Sequence, residues 1–173
     1  MARTTAGVSF DLVTTAATTV VDGLGAQAPL GFILTVPSAI NDGVSTANAG
    51  DQEWIYVRNA TGAQWVAGTI VMRELGALDY DCQIAALDTE TARVVGVSQH
   101  TIAAGSFGFI LRKGRGLVLA DTGGFTADNG LVQGNVVTGR ADNRGAVTTH
   151  CFGVALATTA ATATGAAMIN CPG

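Results

Sequence analysis

The sequence predicts an all-β chain, a small β-barrel or β-sandwich carrying a degenerate internal duplication and preceded by an extended N-terminal arm. Three observations predict it. Glycine outnumbers proline 23 to 3 in 173 residues, which favours many tight turns over long helices. From Trp54 onward, short runs rich in Val, Ile and aromatic residues recur between breaks that carry Gly, Asp or Asn. One glycine-marked apolar phrase is also written twice, first as "VVGVSQHTIAAGSFGFIL" and again as "FGVALATTAATATGAAMIN".

Taken in order, residues 1–50 are nearly uncharged and rich in Thr, Ala, Val and Gly. "DLVTTAATTVV" is β-branched and disfavours a helix, and "PLGFILTVP" is an apolar strand bracketed by Pro29 and Pro37. These residues read as an arm, or as strands that complete a sheet. The turn-rich "NDGVSTANAGDQ" marks the boundary with a domain over 51–173. Strands are expected at "WIYVRN", "QWVAGTIVMREL", "DCQIAAL", "ARVVGVSQ", "SFGFILRK", "GLVLAD", "NGLVQGNVVTG", "GAVTTH", "FGVALAT" and "GAAMIN", with one helical turn at "DTETA" capped by Asp88.

A shift of 57 residues superposes Gly96 on Gly153, Val97 on Val154, Thr101 on Thr158 and Gly108 on Gly165. Upstream, "WVAGTIVM" matches "LVQGNVVT" at a shift of 66, so the expected repeat is a four-strand unit with a shorter second connection. Each phrase reads as a β-hairpin whose interior glycines mark bulges or close backbone approaches. A second hairpin turning about Ala161 sets Cys151 opposite Cys171, either as a disulfide or as two buried thiols.

Composition excludes several classes. Hydrophobic residues make up 48% and charged residues 13%, the reverse of a disordered chain. The net charge of −4 and the single lysine, Lys113, argue against nucleic acid as partner. So little charge suits a surface covered by neighbours in an assembly. The opening "MARTTAGVSFDLVTT" lacks the apolar core of a secretory signal, and residues 94–111 and 146–169 carry too much Gly, Thr and His for membrane spans. An odd cysteine count, Cys82, Cys151 and Cys171, without C-x-x-C spacing points to free thiols in a cytoplasmic folding environment.

Candidate chemistry is sparse. "LVLADTGG" has the hydrophobic-Asp-Thr-Gly pattern of an aspartic-protease loop, with "TGRAD" following. The 18-residue step from Asp121 to Gly139 cannot hold the intervening flap, so Asp121 reads as a turn residue ending a strand. His100, His150 and the cysteines lack paired zinc spacing, because the adjacent His150 and Cys151 point to opposite strand faces. Asp79, Asp81, Asp128-Asn129 and Asp142-Asn143 lack a calcium-loop spacing and read as turn chemistry. No Ser-His-Asp spacing or phosphate-binding glycine fingerprint is present. A structural or binding protein is expected: no enzyme, no cofactor, no metal. "RKGRG", with Arg112, Lys113 and Arg115, reads as a charged hairpin turn, an anion site or an interface rim. Trp54, Tyr56 and Trp65 are stacking candidates for a carbohydrate- or surface-binding β module, the alternative reading.

The stretch "ARVVGVSQHTIAAGSFGFILRKGRGLVLAD" resembles small structural proteins of tailed-bacteriophage virions, particularly head-decoration (cement) proteins. These often show a Gly-Val-Ala-like strand, an Ala-Ala-Gly turn, a Gly-aromatic return strand and a following Gly-x-Val strand. "HCFGVALATTAATATGAAMINCPG" closes the chain much as such proteins end. The resemblance covers about residues 60–173; the first fifty residues depart from it, which leaves capsid, tail and neck attachment open, and the alternative carbohydrate- or surface-binding β module would belong to a phage tail or head fibre. It implies an oligomerising barrel or sandwich, a trimer favoured, that binds the major capsid protein on the virion surface and locks neighbouring subunits against internal DNA pressure. It also implies assembly in the host cytoplasm, with neither nucleic acid nor membrane as partner. Pro29, Phe32, Ile33 and Pro37 of the arm, with Arg112, Lys113 and Arg115, are the candidate interface, since an extended arm can add a strand to a neighbour's sheet.

Overall fold

Apolar runs of four to eight residues are too short to bury themselves and must pair edge to edge until the sheet closes. The computed structural model describes residues 3–5, 8–10, 28–37, 50–74, 80–86, 93–134, 136–145 and 151–172; among them every regular element is a strand. Strands β1 (Arg3–Thr5) and β2 (Val8–Phe10) form a separate hairpin. The other ten, β3 (Ile33–Val36) to β12 (Thr164–Asn170), belong to one sheet.

That sheet closes into a five-stranded barrel. Its strands are β4 (Gln52–Asn59), β5 (Ile70–Arg73), β6 (Asp81–Ile84), β7 (Val94–Val97) and the first half of β8 (Phe107–Leu119). The circuit runs β8–β7–β5–β6–β4 and returns to β8, antiparallel throughout except for the β4–β6 pair. The same circuit then repeats. The second half of β8 stands where β4 stood, followed by β9 (Gly130–Gln133), β10 (Ala141–Asn143), β11 (Gly153–Ala155) and β12. Their order is β8–β12–β11–β9–β10, and a parallel bridge between Ala120 and Ala141 brings β10 back to the end of β8. The repeat unit therefore has five strands, not four, because β8 serves in both copies.

Hydrogen bonds repeat with the strands. Trp65 and Ile102 exchange two backbone bonds of 2.9 and 3.0 Å, and so do Phe125 and Thr159 at 3.0 and 2.7 Å. Gly68 N–H donates to the Ser98 carbonyl as Asp128 N–H does to that of Ala155. The shift of 57 for the later strands agrees with these pairs, but the earlier shift is 60, not 66. "WVAGTIVM" is equivalent to "FTADNGLV" rather than "LVQGNVVT". The sequence match aligned glycines, whereas Gly68 is a turn residue at φ 87° whose counterpart is Asp128 at φ 64°. Aspartate tolerates this left-handed region better than most residues, so the turn persists after the glycine is gone.

The first barrel is filled by Ile55, Val57, Trp65, Val71, Cys82, Val95, Ile102 and Ile110. Counterparts in the second, all buried, include Phe125, Leu131, Ala141, Phe152, Thr159 and Ala167. The outer wall of the first barrel, with Trp54, Tyr56, Ile70, Phe109 and Leu111, joins that second interior in one apolar cluster. Strand β8 can face both interiors because its alternation changes parity. Residues 109 and 111 belong to the cluster before the bend and 118 and 120 after it. One extra residue is needed for that, and the register against β4 shifts between Glu53 and Trp54, beside Gly114 at φ 112°. "RKGRG" is thus the bend within a continuous strand and not a hairpin turn: glycine lets the backbone kink there without reversing.

Strand β3 pairs antiparallel with β4, from Ile33 opposite Ile55 to Val36 opposite Gln52. Gly31 N–H donates to the Tyr56 carbonyl at 2.8 Å, and Tyr56 N–H returns a bond to Phe32 at 2.9 Å. The segment from Ala28 therefore lies along the first barrel's wall as a sheet strand. "DLVTTAATTVV", the helical turn at "DTETA" and most of "NDGVSTANAGDQ" and "GAVTTH" lie outside the described residues. Asp142 and Asn143, expected in a turn, are in β10, where Asn143 Oδ1 accepts the Thr126 N–H at 2.9 Å.

The glycines that exposed the repeat share a cause. A Cβ on Gly96 would stand 2.7 Å from the Leu111 carbonyl oxygen, and one on Gly153 would stand 2.6 Å from that of Met168. A Cβ on Gly108 would strike Ile102, and one on the equivalent Gly165 would strike Thr159 and Phe125. Gly96→Ala and Gly153→Ala should each cost about 1–3 kcal/mol in urea unfolding. Gly62→Ala, with nothing within 4 Å of its Cβ, should stay within about 0.5 kcal/mol of the parent.

Candidate interaction surface

Residues directly opposite each other on neighbouring strands share a face. One row runs from Thr35 on β3 to Glu53 on β4, Lys113 on β8 and Asn170 on β12. One step along, Arg115 is opposite Met168 and Met168 opposite Val154. The sheet register therefore places Ile33, Lys113 and Arg115 on one face, although 80 residues separate Ile33 from Lys113 in sequence.

The basic residues there are partly neutralised. Arg112 Nη1 is 2.8 Å and Lys113 Nζ 3.4 Å from the two carboxylate oxygens of Glu53, and Gln52 Nε2 donates to the Arg115 carbonyl at 2.9 Å. Such half-exposed pairs contribute little stability and fix geometry instead. Glu53 thus weakens the bend as an anion site. Of the arm residues, Pro29, Ile33 and Pro37 are exposed, while Phe32 turns inward to meet Phe109 edge to face at 6.4 Å between centroids.

Sequence reasoning missed Val154, Leu156 and Met168, which are 40–46% exposed on the outer wall of the second barrel. Leu156 N–H donates to the Ala166 carbonyl, which continues the ribbon that pairs Val154 with Met168. In an Ala- and Thr-rich stretch both strand faces read as apolar, so alternation alone does not say which one meets water. The corresponding wall of the first barrel, with Val97, Phe109 and Leu111, is buried.

The aromatic candidates lie in the core. Trp54, Tyr56 and Trp65 are at most 3% exposed and belong to the apolar clusters, so no sugar ring can stack on them. Cys82 fills the first barrel, where burial pushes its thiol up to about 12. Burial also raises the Cys171 thiol, which lies in the larger cluster. Cys151 lies against Gly130, its sulfur 3.5 Å from Arg144 Nη1, and all three thiols are free. Burial lowers His100 to about 4. Among the described residues no three His, Cys, Asp or Glu side chains cluster; His150 and Asp79 lie outside them. Asp81 pairs with Arg58 at 2.8 Å.

Asp121 is a structural hub. Its side chain accepts backbone N–H bonds from Thr122 at 2.7 Å, Val136 at 2.9 Å and Val137 at 3.3 Å, and its own N–H donates to Ala141 across the closing bridge. Burial would raise its pKa, but those three N–H groups and the Arg140 charge together hold it below the ordinary value. The folded state therefore binds the Asp121 proton less readily than the unfolded chain. Its contribution is complete above the unfolded value of about 4 and is lost as the pH falls further. Asp121→Asn should cost about 1–3 kcal/mol at neutral pH, because an amide nitrogen cannot accept an N–H. The variant should also show a shallower loss of stability below about pH 4, read by urea titration across pH.

No protein-family model and no curated protein matches the sequence. Among solved structures, the chain is similar to the head fiber gp8.5 N base of bacteriophage phi29. The TM-score is 0.50 at 15% sequence identity, over 68% of this chain and 94% of that chain. Similarity at this identity is similarity of fold.

Proposed function

We propose that this chain is a structural protein of a tailed-phage virion, of the head-decoration (cement) kind, that stabilises a capsid by forming subunit–subunit interfaces. Its partners are the major capsid protein and copies of itself, a trimer being favoured, and it resides on the capsid surface. It is non-catalytic and binds no cofactor, nucleic acid or membrane. The observation that carries the reading is the fold shared with nearly all of the head fiber N base of phi29. The low charged fraction and the exposed apolar wall fit a protein whose surface is covered in an assembly. The carbohydrate-binding alternative has lost its stacking residues to the core.

Purified protein mixed with shells of the phage's own major capsid protein should co-sediment to a saturating ratio and raise the temperature at which the shells disrupt. Protein left in the supernatant at about 10 µM, with shell stability unchanged, would overturn the reading. A glycan array should be blank; a specific sugar hit would favour the alternative.

A further inference from the structure

We propose that the β11–β12 wall of one copy is covered by the 29–37 segment of a second copy, with Ile33 of the one seated against Met168 and Val154 of the other. This rests on the self-association in the reading above and not on shell binding.

Among the described residues the exposed large apolar side chains are Ile33, Val66, Val136, Val154, Leu156 and Met168. Three of them share the single β11–β12 ribbon, where Val154 is directly opposite Met168. The repeat indicates what belongs on such a wall. In the first barrel the equivalent surface is buried, and the 28–36 segment lies against it, with Phe32 on Phe109 and Leu30 and Leu34 packed beside them. The same segment turns Ile33 outward at 44% exposure, so it has a second apolar side with no occupant among the described residues.

Shape and charge agree. Phe109 of the first wall is replaced at the shift of 57 by Ala166, which leaves the second wall shallow beside Met168, where a branched side chain can seat. Lys113, already paired with Glu53, and Arg115 border it, and the incoming 29–37 segment is uncharged, so docking opposes no like charges there. Pro29 and Pro37 stiffen the segment from both ends, so little entropy is lost when it docks. Because the wall and the segment are different surfaces, the contact is reciprocal in a two-fold pair and sequential in a ring.

The test is the solution mass of the 173-residue chain by light scattering, for the parent and for Met168→Lys and Ile33→Lys. The parent should self-associate, and each variant should fall to the single-chain mass with circular dichroism and melting temperature retained, since both sites are on the surface. An equimolar mixture of the two variants should recover a two-chain species, because each mixed pair keeps one intact Ile33–Met168 contact. A parent that stays single up to about 100 µM would overturn the proposal. So would dissociation by Met168→Lys but not Ile33→Lys, which would assign the wall another occupant. Should either lysine variant fail to fold, Met168→Ser and Ile33→Ser replace it with the same expected outcomes. All readouts come from the free protein, so a failed shell assay and a failed self-association assay are distinguishable.

Discussion

Strand β8 belongs to two barrels at once, and the remaining architecture follows from how it manages both. Its first half closes the first circuit against β4 and β7, and its second half opens the next against β12. A strand presents alternate residues to opposite faces, so a regular β8 would keep residues of one parity on the large apolar cluster throughout. The register shift beside Gly114 inserts one residue, and the set facing that cluster passes from Phe109 and Leu111 to Val118 and Ala120. The outer wall of the first barrel is thereby continuous with the core of the second. The two units share one apolar cluster instead of standing as beads on a string, and the arm segment from Ala28 joins that cluster.

Duplication within one chain leaves a structural asymmetry. Each unit has an outer wall; among the described residues that of the first is buried against the second unit's core and the arm segment, and that of the second is exposed. In the second wall Ala166 stands where the first has Phe109, and Arg115 where it has Trp54, which lowers its apolar area without making it fully polar. The residue left exposed is an apolar ribbon with a basic border.

Two polar side chains, buried Asp121 and partly buried Gln99, serve the same frame. Asp121 gathers the N–H groups of the β9–β10 connection at the point where the second barrel closes on a single parallel bridge. Gln99 does comparable work at the barrel junction: its side-chain amide donates to the Leu117 carbonyl at 3.0 Å and accepts the Leu117 N–H at 2.8 Å. A side chain thus satisfies both backbone groups of Leu117. Aspartate followed by Thr-Gly has the pattern of a protease loop because a tight turn after a strand asks for those residues in any fold.

Much of this was legible in the linear chain. Glycine-punctuated apolar runs determine an all-β fold, since they are too short for helices and too apolar to remain unpaired. The paired glycines Gly96 with Gly153 and Gly108 with Gly165 determine the later half of the repeat, because each meets a carbonyl or side chain that allows no Cβ. The earlier half was misaligned, since the feature kept at Gly68 and Asp128 is a positive φ and not a residue type. Only the tertiary structure decided that "RKGRG" bends rather than turns, that Trp54, Tyr56 and Trp65 are core, and that Ile33 shares a face with Arg115 and Met168. Those outcomes depend on register and on which side of a sheet is closed over, and both are set by long-range pairing between strands that local sequence does not encode.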